Sequence, residues 1–244
     1  MKIIQQYMNN PLRNYNYIVY SEKSKEAIFF DPYDLKITLP VSESLNLNPK
    51  FLFNTHTHHD HIRDNEKFLE LEGTSHIELM DGEVFKLSET EWVKAIYTPG
   101  HVDNHICYLL IEKDQMIGII CGDALFNAGV GNCKNGGNVD EHYCSTEMLR
   151  ELLDDGTKLY PSHDYLLTNL KFALGVEPDN KDVEKLMNKR KVQNQEKEFI
   201  NTNINDEKKI NPFLRLEQLK KQEQFKSMSN KEIFIKLRKL RDNF

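Results

Sequence analysis

Four histidines and one aspartate fall within six residues, in the run Thr55-His56-Thr57-His58-His59-Asp60-His61. Imidazole and carboxylate donors suit divalent ions such as Zn²⁺, Fe²⁺ or Mn²⁺. Alternate side chains of an extended segment point the same way, so His56 and His58 can grip one ion together. Asp60 and His61 come where the chain turns and can reach a second position. Three later segments, Thr98-Pro-Gly-His101, Cys121-Gly-Asp123 and Pro161-Ser-His163, each add one donor. Together they complete two sets: His56, His58 and His101 for one ion, and Asp60, His61 and His163 for the other. Asp123 has two carboxylate oxygens and can bridge. Each ion keeps an open position for water, which a catalytic site needs and a closed structural site lacks. Asp60, His61 and Asp123 are the candidates for catalytic roles. His59 and His105 lie near the ligands and are candidates to support them; His76 and His142 read as packing or surface residues.

The elements that carry these residues are legible in outline. Ile3-Ile4, the run ending at Tyr20, and Ala27–Phe30 before Asp31-Pro32 read as strands. Phe51-Leu-Phe53 is a short strand that stops at the histidine cluster. The pair 108–111 and 116–120 is separated by a turn, and Leu159-Tyr160 is a final strand leading to His163. Residues 1–123 thus read as strands separated by turns. Ser145 is placed to cap a helix with Met148, Leu149, Leu152 and Leu153 on one face, ended by Asp154-Asp-Gly156. Beyond 165 the chain becomes rich in Lys, Glu, Asn and Gln with helical spacing. Its clearest helix opens at Ser229-x-x-Glu232, a capping box, and repeats Ile233, Leu237 and Leu240. The expected architecture is an α/β body, residues 1–164, followed by a helical region, residues 165–244.

Residues 1–164 hold 14 Lys/Arg against 26 Asp/Glu, and residues 165–244 hold 18 against 12. An acidic body argues against a nucleic-acid surface. No apolar run approaches the roughly 20 residues that span a bilayer, so no membrane partner is expected. The first residues lack a secretory h-region, and the four cysteines form no C-x-x-C pair. Both observations point to a cytoplasmic protein with reduced thiols.

With these residues in place, the chain resembles the metallo-β-lactamase superfamily and, within it, the glyoxalase II (hydroxyacylglutathione hydrolase) family. The resemblance runs from Asn14-Tyr-Asn-Tyr17 and Phe30-Asp-Pro32 through the histidine cluster to Gly122–Phe126. It continues in Tyr160–Tyr165, Asn169–Ala173, Glu177–Asn180 and Asn211–Arg215. It implies an αββα sandwich with a C-terminal helical region and two divalent ions, zinc first, with iron or manganese open. It also implies a thioesterase that converts S-D-lactoylglutathione to D-lactate and glutathione through a metal-bridging hydroxide. The family's substrate contacts fall on Tyr165 and on two basic residues of the last helix, which Arg238 and Arg241 resemble.

The chain also departs from the family pattern. Arg63-Asp64 stands where the family has Gly-Gly, and the stretch from His61 to His101 is shorter than usual. The loop 129–138 places Asn132, Cys133 and Lys134 where a basic residue and a glutathione-binding tyrosine are expected; Lys134 can replace one contact. This loop leaves open a second expectation, a related metallo-hydrolase acting on a different thioester or ester.

Overall fold

Several strands read as unbroken apolar runs because both of their faces are covered. The structure, a computed structural model, describes residues 1–194 and 196–244. One sheet runs β1 (Lys2–Tyr7), β2 (Tyr15–Tyr20), β3 (Glu26–Phe30), β4 (Asn48–Phe53) and β5 (Ser75–His76), in that spatial order. Its first three strands are antiparallel, and β3, β4 and β5 are parallel. The crossovers between the parallel strands carry α1 (Leu35–Ser44), then α2 (His59–Ile62) and α3 (Asn65–Leu69).

The second sheet builds an antiparallel meander from β6 (Val84–Lys86), β7 (Glu91–Tyr97), β8 (Ile106–Glu112) and β9 (Gln115–Gly122). A small hairpin, β10 (Leu125–Phe126) and β11 (Gly129–Val130), and then α4 (Val139–Leu152) lead to β12 (Lys158–Pro161), which pairs in parallel with β9. The helical remainder comprises α5 (Leu166–Val176), α6 (Lys181–Val192), α7 (Ile204–Ile210), α8 (Leu216–Leu219) and α9 (Asn230–Asp242).

Alternation along each strand sorts side chains into three buried layers. Val19, Ile28, Phe30 and Phe53 of the first sheet meet Val93, Tyr108, Leu110 and Ile120 of the second. On the outer face of the first sheet, Ile18, Phe29 and Leu52 pack on Leu35 and Phe68 of the crossover helices. On the outer face of the second, Leu109, Ile119 and Leu159 pack on Leu149, Phe172, Phe213, Phe234 and Leu237. Each such side chain contributes roughly 1.5–3 kcal/mol by leaving water. The order is helix, sheet, sheet, helix, as expected, and the C-terminal helices pack directly on the second sheet. Among the described residues no helix is long and apolar enough to cross a membrane.

Three local expectations change. The first 123 residues include three helices, and α1 forms although it contains Pro40. Asp34 caps it by accepting from the Lys36 amide, and Asp64 accepts from the Leu35 amide at 2.9 Å, so tertiary contacts outweigh a poor helical sequence. Helix α4 is capped seven residues before Ser145, by Asn138, whose side chain accepts from the Asp140 and Glu141 amides. Ser145 lies inside it and donates to the Pro99 carbonyl at 2.7 Å. The capping box of α9 forms, but Leu240 is 46% exposed, and its buried face is Ile233, Phe234, Leu237 and Arg238.

Candidate metal centre and adjoining cleft

Four strand ends meet at one rim of the sandwich. His56 and His58 follow β4, with Asp60 and His61 in α2 just beyond; His101 follows β7, Asp123 follows β9 and His163 follows β12. The structure brings all seven together. The donor atoms of His56, His58 and His101 lie within 4.8 Å of one another, as do those of Asp60, His61 and His163. His58 Nδ1 is 3.0 Å from His56 Nε2 and 3.1 Å from His101 Nε2. Asp60 Oδ2 is 3.5 Å from the Nε2 atoms of both His61 and His163. Asp123 stands between the sets. Its Oδ1 faces His163 and His61 at 3.3 and 3.6 Å, and its Oδ2 faces His101 at 3.5 Å.

The rings are aimed by the nitrogens that point away from the centre. His61 Nδ1 donates to Asp31 Oδ2 at 2.9 Å, His101 Nδ1 to the Asn132 carbonyl at 2.6 Å, and His163 Nδ1 to the Leu12 carbonyl at 2.8 Å. His56 Nδ1 lies 3.0 Å from Thr55 Oγ1, itself a donor to Asp31 Oδ2. This is the pattern by which proteins fix the tautomer of metal-binding imidazoles. Inside the centre, His61 Nε2 and Asp123 Oδ1 are buried and have no hydrogen-bond partner among the described residues. Buried polar atoms left unpaired are costly, and here both point at the space between ligand-type donors. The residues therefore fit divalent ions.

The buried carboxylates make the centre favour positive charge. Burial alone would lower the His61 pKa, but the carboxylates of Asp31 and Asp123 outweigh it and raise it to about 9. Burial would raise Asp123, yet His163, His61 and His101 hold it well below the usual carboxylate range. His56, buried beside His61, is lowered, so it is a neutral imidazole ready to coordinate.

Other contributors went unassigned in the sequence. Asp31 ties Thr55 and His61 into one buried knot, accepting from the Thr55 amide at 2.8 Å. Asn14 donates to Asp60 Oδ2 at 2.9 Å. Both lie in stretches that carry the family resemblance, which was the available signal. His105 does sit beside the ligands, accepting from the Asp123 amide at 3.0 Å. His59 is exposed. His142 is fully buried and donates to the Ala124 carbonyl at 2.9 Å.

Beside the centre lies a cleft of about 180 Å³ whose walls include Phe126, Lys134, Tyr165, Arg238 and Arg241. Tyr165 stacks flat on His163, with centroids 4.9 Å apart, and Phe126 meets both rings edge-on. Arg241 directs Nε and Nη2 at Asn169 Oδ1, at 3.3 and 3.1 Å. Lys134 is exposed, and its ammonium reaches the Asp242 carbonyl. All four residues expected to hold substrate thus line one cleft.

A family model described as hydroxyacylglutathione hydrolase C-terminus matches residues 164–244. The hydroxyacylglutathione hydrolase of Nitrosococcus oceani is 33% identical, covering all of both chains. Among solved structures, ETHE1 from Myxococcus xanthus superposes with a TM-score of 0.71 at 22% identity, covering 98% of this chain and 90% of that one. A metallo-β-lactamase from Staphylococcus aureus gives 0.67 at 18% identity, covering 97% and 66%. At these identities the structural likeness is one of fold, whereas the full-length sequence identity carries the family. The chain is a metal-dependent hydrolase on the metallo-β-lactamase fold, and it belongs to the hydroxyacylglutathione hydrolase family.

Proposed function

We propose that the protein hydrolyses S-D-lactoylglutathione to D-lactate and glutathione at a binuclear centre. His56, His58 and His101 would hold one ion and Asp60, His61 and His163 the other, with Asp123 placed to serve both. The observation that carries this reading is the split of Asp123, whose two oxygens face different ligand sets. Zinc is the first choice for both ions, with iron or manganese open, because the donors are imidazole and carboxylate. Divalent ions at such a site lower the pKa of water to about 7 and polarise a carbonyl.

The chain supplies the orientation. Asp60, steadied by Asn14, would accept a hydrogen bond from a water at the centre, beside His61 and Asp123. Tyr165 and Phe126 form an aromatic wall, and Lys134 and Arg241 offer cations to the carboxylates of a glutathione moiety. A thiolate leaves readily, so no strong protein acid is needed. The four cysteines are free, which suits a reducing cytoplasm.

A second reading has its own support. A hollow of about 590 Å³ with Ile62, Ile77, Leu79 and Ile106 on its walls also touches His56. It offers room for an acyl group larger and more apolar than lactoyl, and so favours a different thioester.

Steady-state hydrolysis of S-D-lactoylglutathione by zinc-loaded protein, with chelated protein as control, tests both readings. Efficient metal-dependent turnover is the expected result. Negligible turnover by protein holding two zinc ions would discard this substrate, and faster cleavage of long-chain acyl thioesters would establish the second reading.

A further inference from the structure

We infer that Arg238 is a positioning residue for the metal centre, holding the strap Val130–Asn132 against His101 and Asp123. The inference rests on reading the centre as a metal site. Arg238 was expected at the substrate, but its guanidinium is turned inward and only 6% of the residue is exposed. Nη1 donates to the carbonyls of Val130 and Gly131, at 2.8 and 3.0 Å. Nε and Nη2 both donate to Asp242 Oδ1, at 3.1 and 2.8 Å. Four of the five N–H groups of the fork are thereby committed within the protein.

The strap so held lies directly on two ligands. A Cβ on Gly131 would stand 2.0 Å from the Asp123 carbonyl oxygen and 3.1 Å from His101 Nδ1, so the backbone passes there with no room to spare. The next carbonyl, Asn132, receives the His101 Nδ1 proton. The far side of the same loop is equally close, since a Cβ on Gly137 would sit 2.3 Å from the carbonyl oxygens of Gly100 and His101. Between them, the Asn135 carbonyl lies 3.2 Å from His58 Nε2. The loop that departs from the family pattern is therefore a clamp on the His58–His101 set, and Arg238 ties its first residues to α9. Arg241, one turn on and half-buried at the cleft, is the arginine of this helix left for substrate.

Zn²⁺ titration of metal-free protein, paired with kinetics on S-D-lactoylglutathione, separates the two roles. Positioning predicts that Arg238→Met lowers Zn²⁺ affinity by about 10-fold or more and lowers kcat, with KM little changed. Arg238→Lys should recover part of both, and Arg241→Met should raise KM with Zn²⁺ affinity intact. Unchanged Zn²⁺ affinity with a raised KM in Arg238→Met would overturn the inference and leave the metal-centre reading standing. Wild-type protein that takes up no Zn²⁺ would overturn both. Should the Met variant fail to fold, Arg238→Lys decides alone: zinc affinity equal to wild type with a raised KM would overturn the positioning role.

Discussion

Asp123 is the residue that faces both groups of donors, so its loss should separate chemistry from folding. Asp123→Ala is expected to abolish turnover while circular dichroism stays that of the wild type; unchanged turnover would remove it from the centre. Asp31 acts one bond further out, through His61 Nδ1 and Thr55. Asp31→Asn should weaken metal binding by roughly 10- to 100-fold, read by chelator competition. The seven donors were legible in the sequence because histidine clusters are uncommon and their spacing follows strand geometry. The groups that aim them were not, since Leu12 and Asn132 act through backbone carbonyls that every residue possesses. Charge and helical position suggested that Arg238 meets substrate; it does line the cleft, but only the fold shows that its guanidinium also holds the Val130 and Gly131 carbonyls.

Between residue and domain, the segment 125–132 is the element that joins the helices to the centre. Its turn is held from the C-terminal side by Glu207, which accepts from the Ala128 amide, and by Asn169 and Asn211, which donate to the Asn127 and Gly129 carbonyls. Gly131→Ala should cost roughly 1–3 kcal/mol through overpacking and weaken zinc binding at the same time. Denaturant unfolding of the metal-free and zinc-loaded forms would measure both. Glu207 is fully buried, and burial raises its pKa to about 7 despite bonds from Thr202 and Asn211, with Asp206 adding a smaller push in the same direction. A carboxyl whose folded pKa is raised destabilises the fold as pH climbs from its ordinary value near 4.5 to about 7. Glu207→Gln carries no such charge, so its stability relative to wild type should rise across that window, by on the order of 3 kcal/mol. A difference independent of pH would refute this. At this scale the sequence was a partial guide. The Ser145 hydroxyl looked like a cap, but Asn138 caps α4 and Ser145 serves the Pro99 carbonyl instead. Helix α1 was invisible because Pro40 argues against it and part of its support comes from Asp64, distant in sequence.

For the molecule as a whole, metal and fold are linked, because an ion that binds the folded state stabilises it by mass action. Zinc at 100 times its dissociation constant adds about 2.7 kcal/mol, so chelation should lower Tm by roughly 5–10 °C. A Tm indifferent to chelator would mean that the centre contributes nothing to stability. The four-layer architecture was readable because apolar strands, a changed composition beyond residue 165 and the family motifs agreed. The way the helices reach back was not, since it depends on contacts such as Arg190 and Arg13 converging on Asp164, the neighbour of His163, each at 2.6 Å. That convergence fixes an order of events during synthesis. A ribosome adding about 5–20 residues per second releases His56 long before His163, and Arg190 later still. The nascent chain therefore carries His56, His58, Asp60 and His61 for several seconds before His163 can join them. The complete set of seven donors exists only once the chain has passed β12.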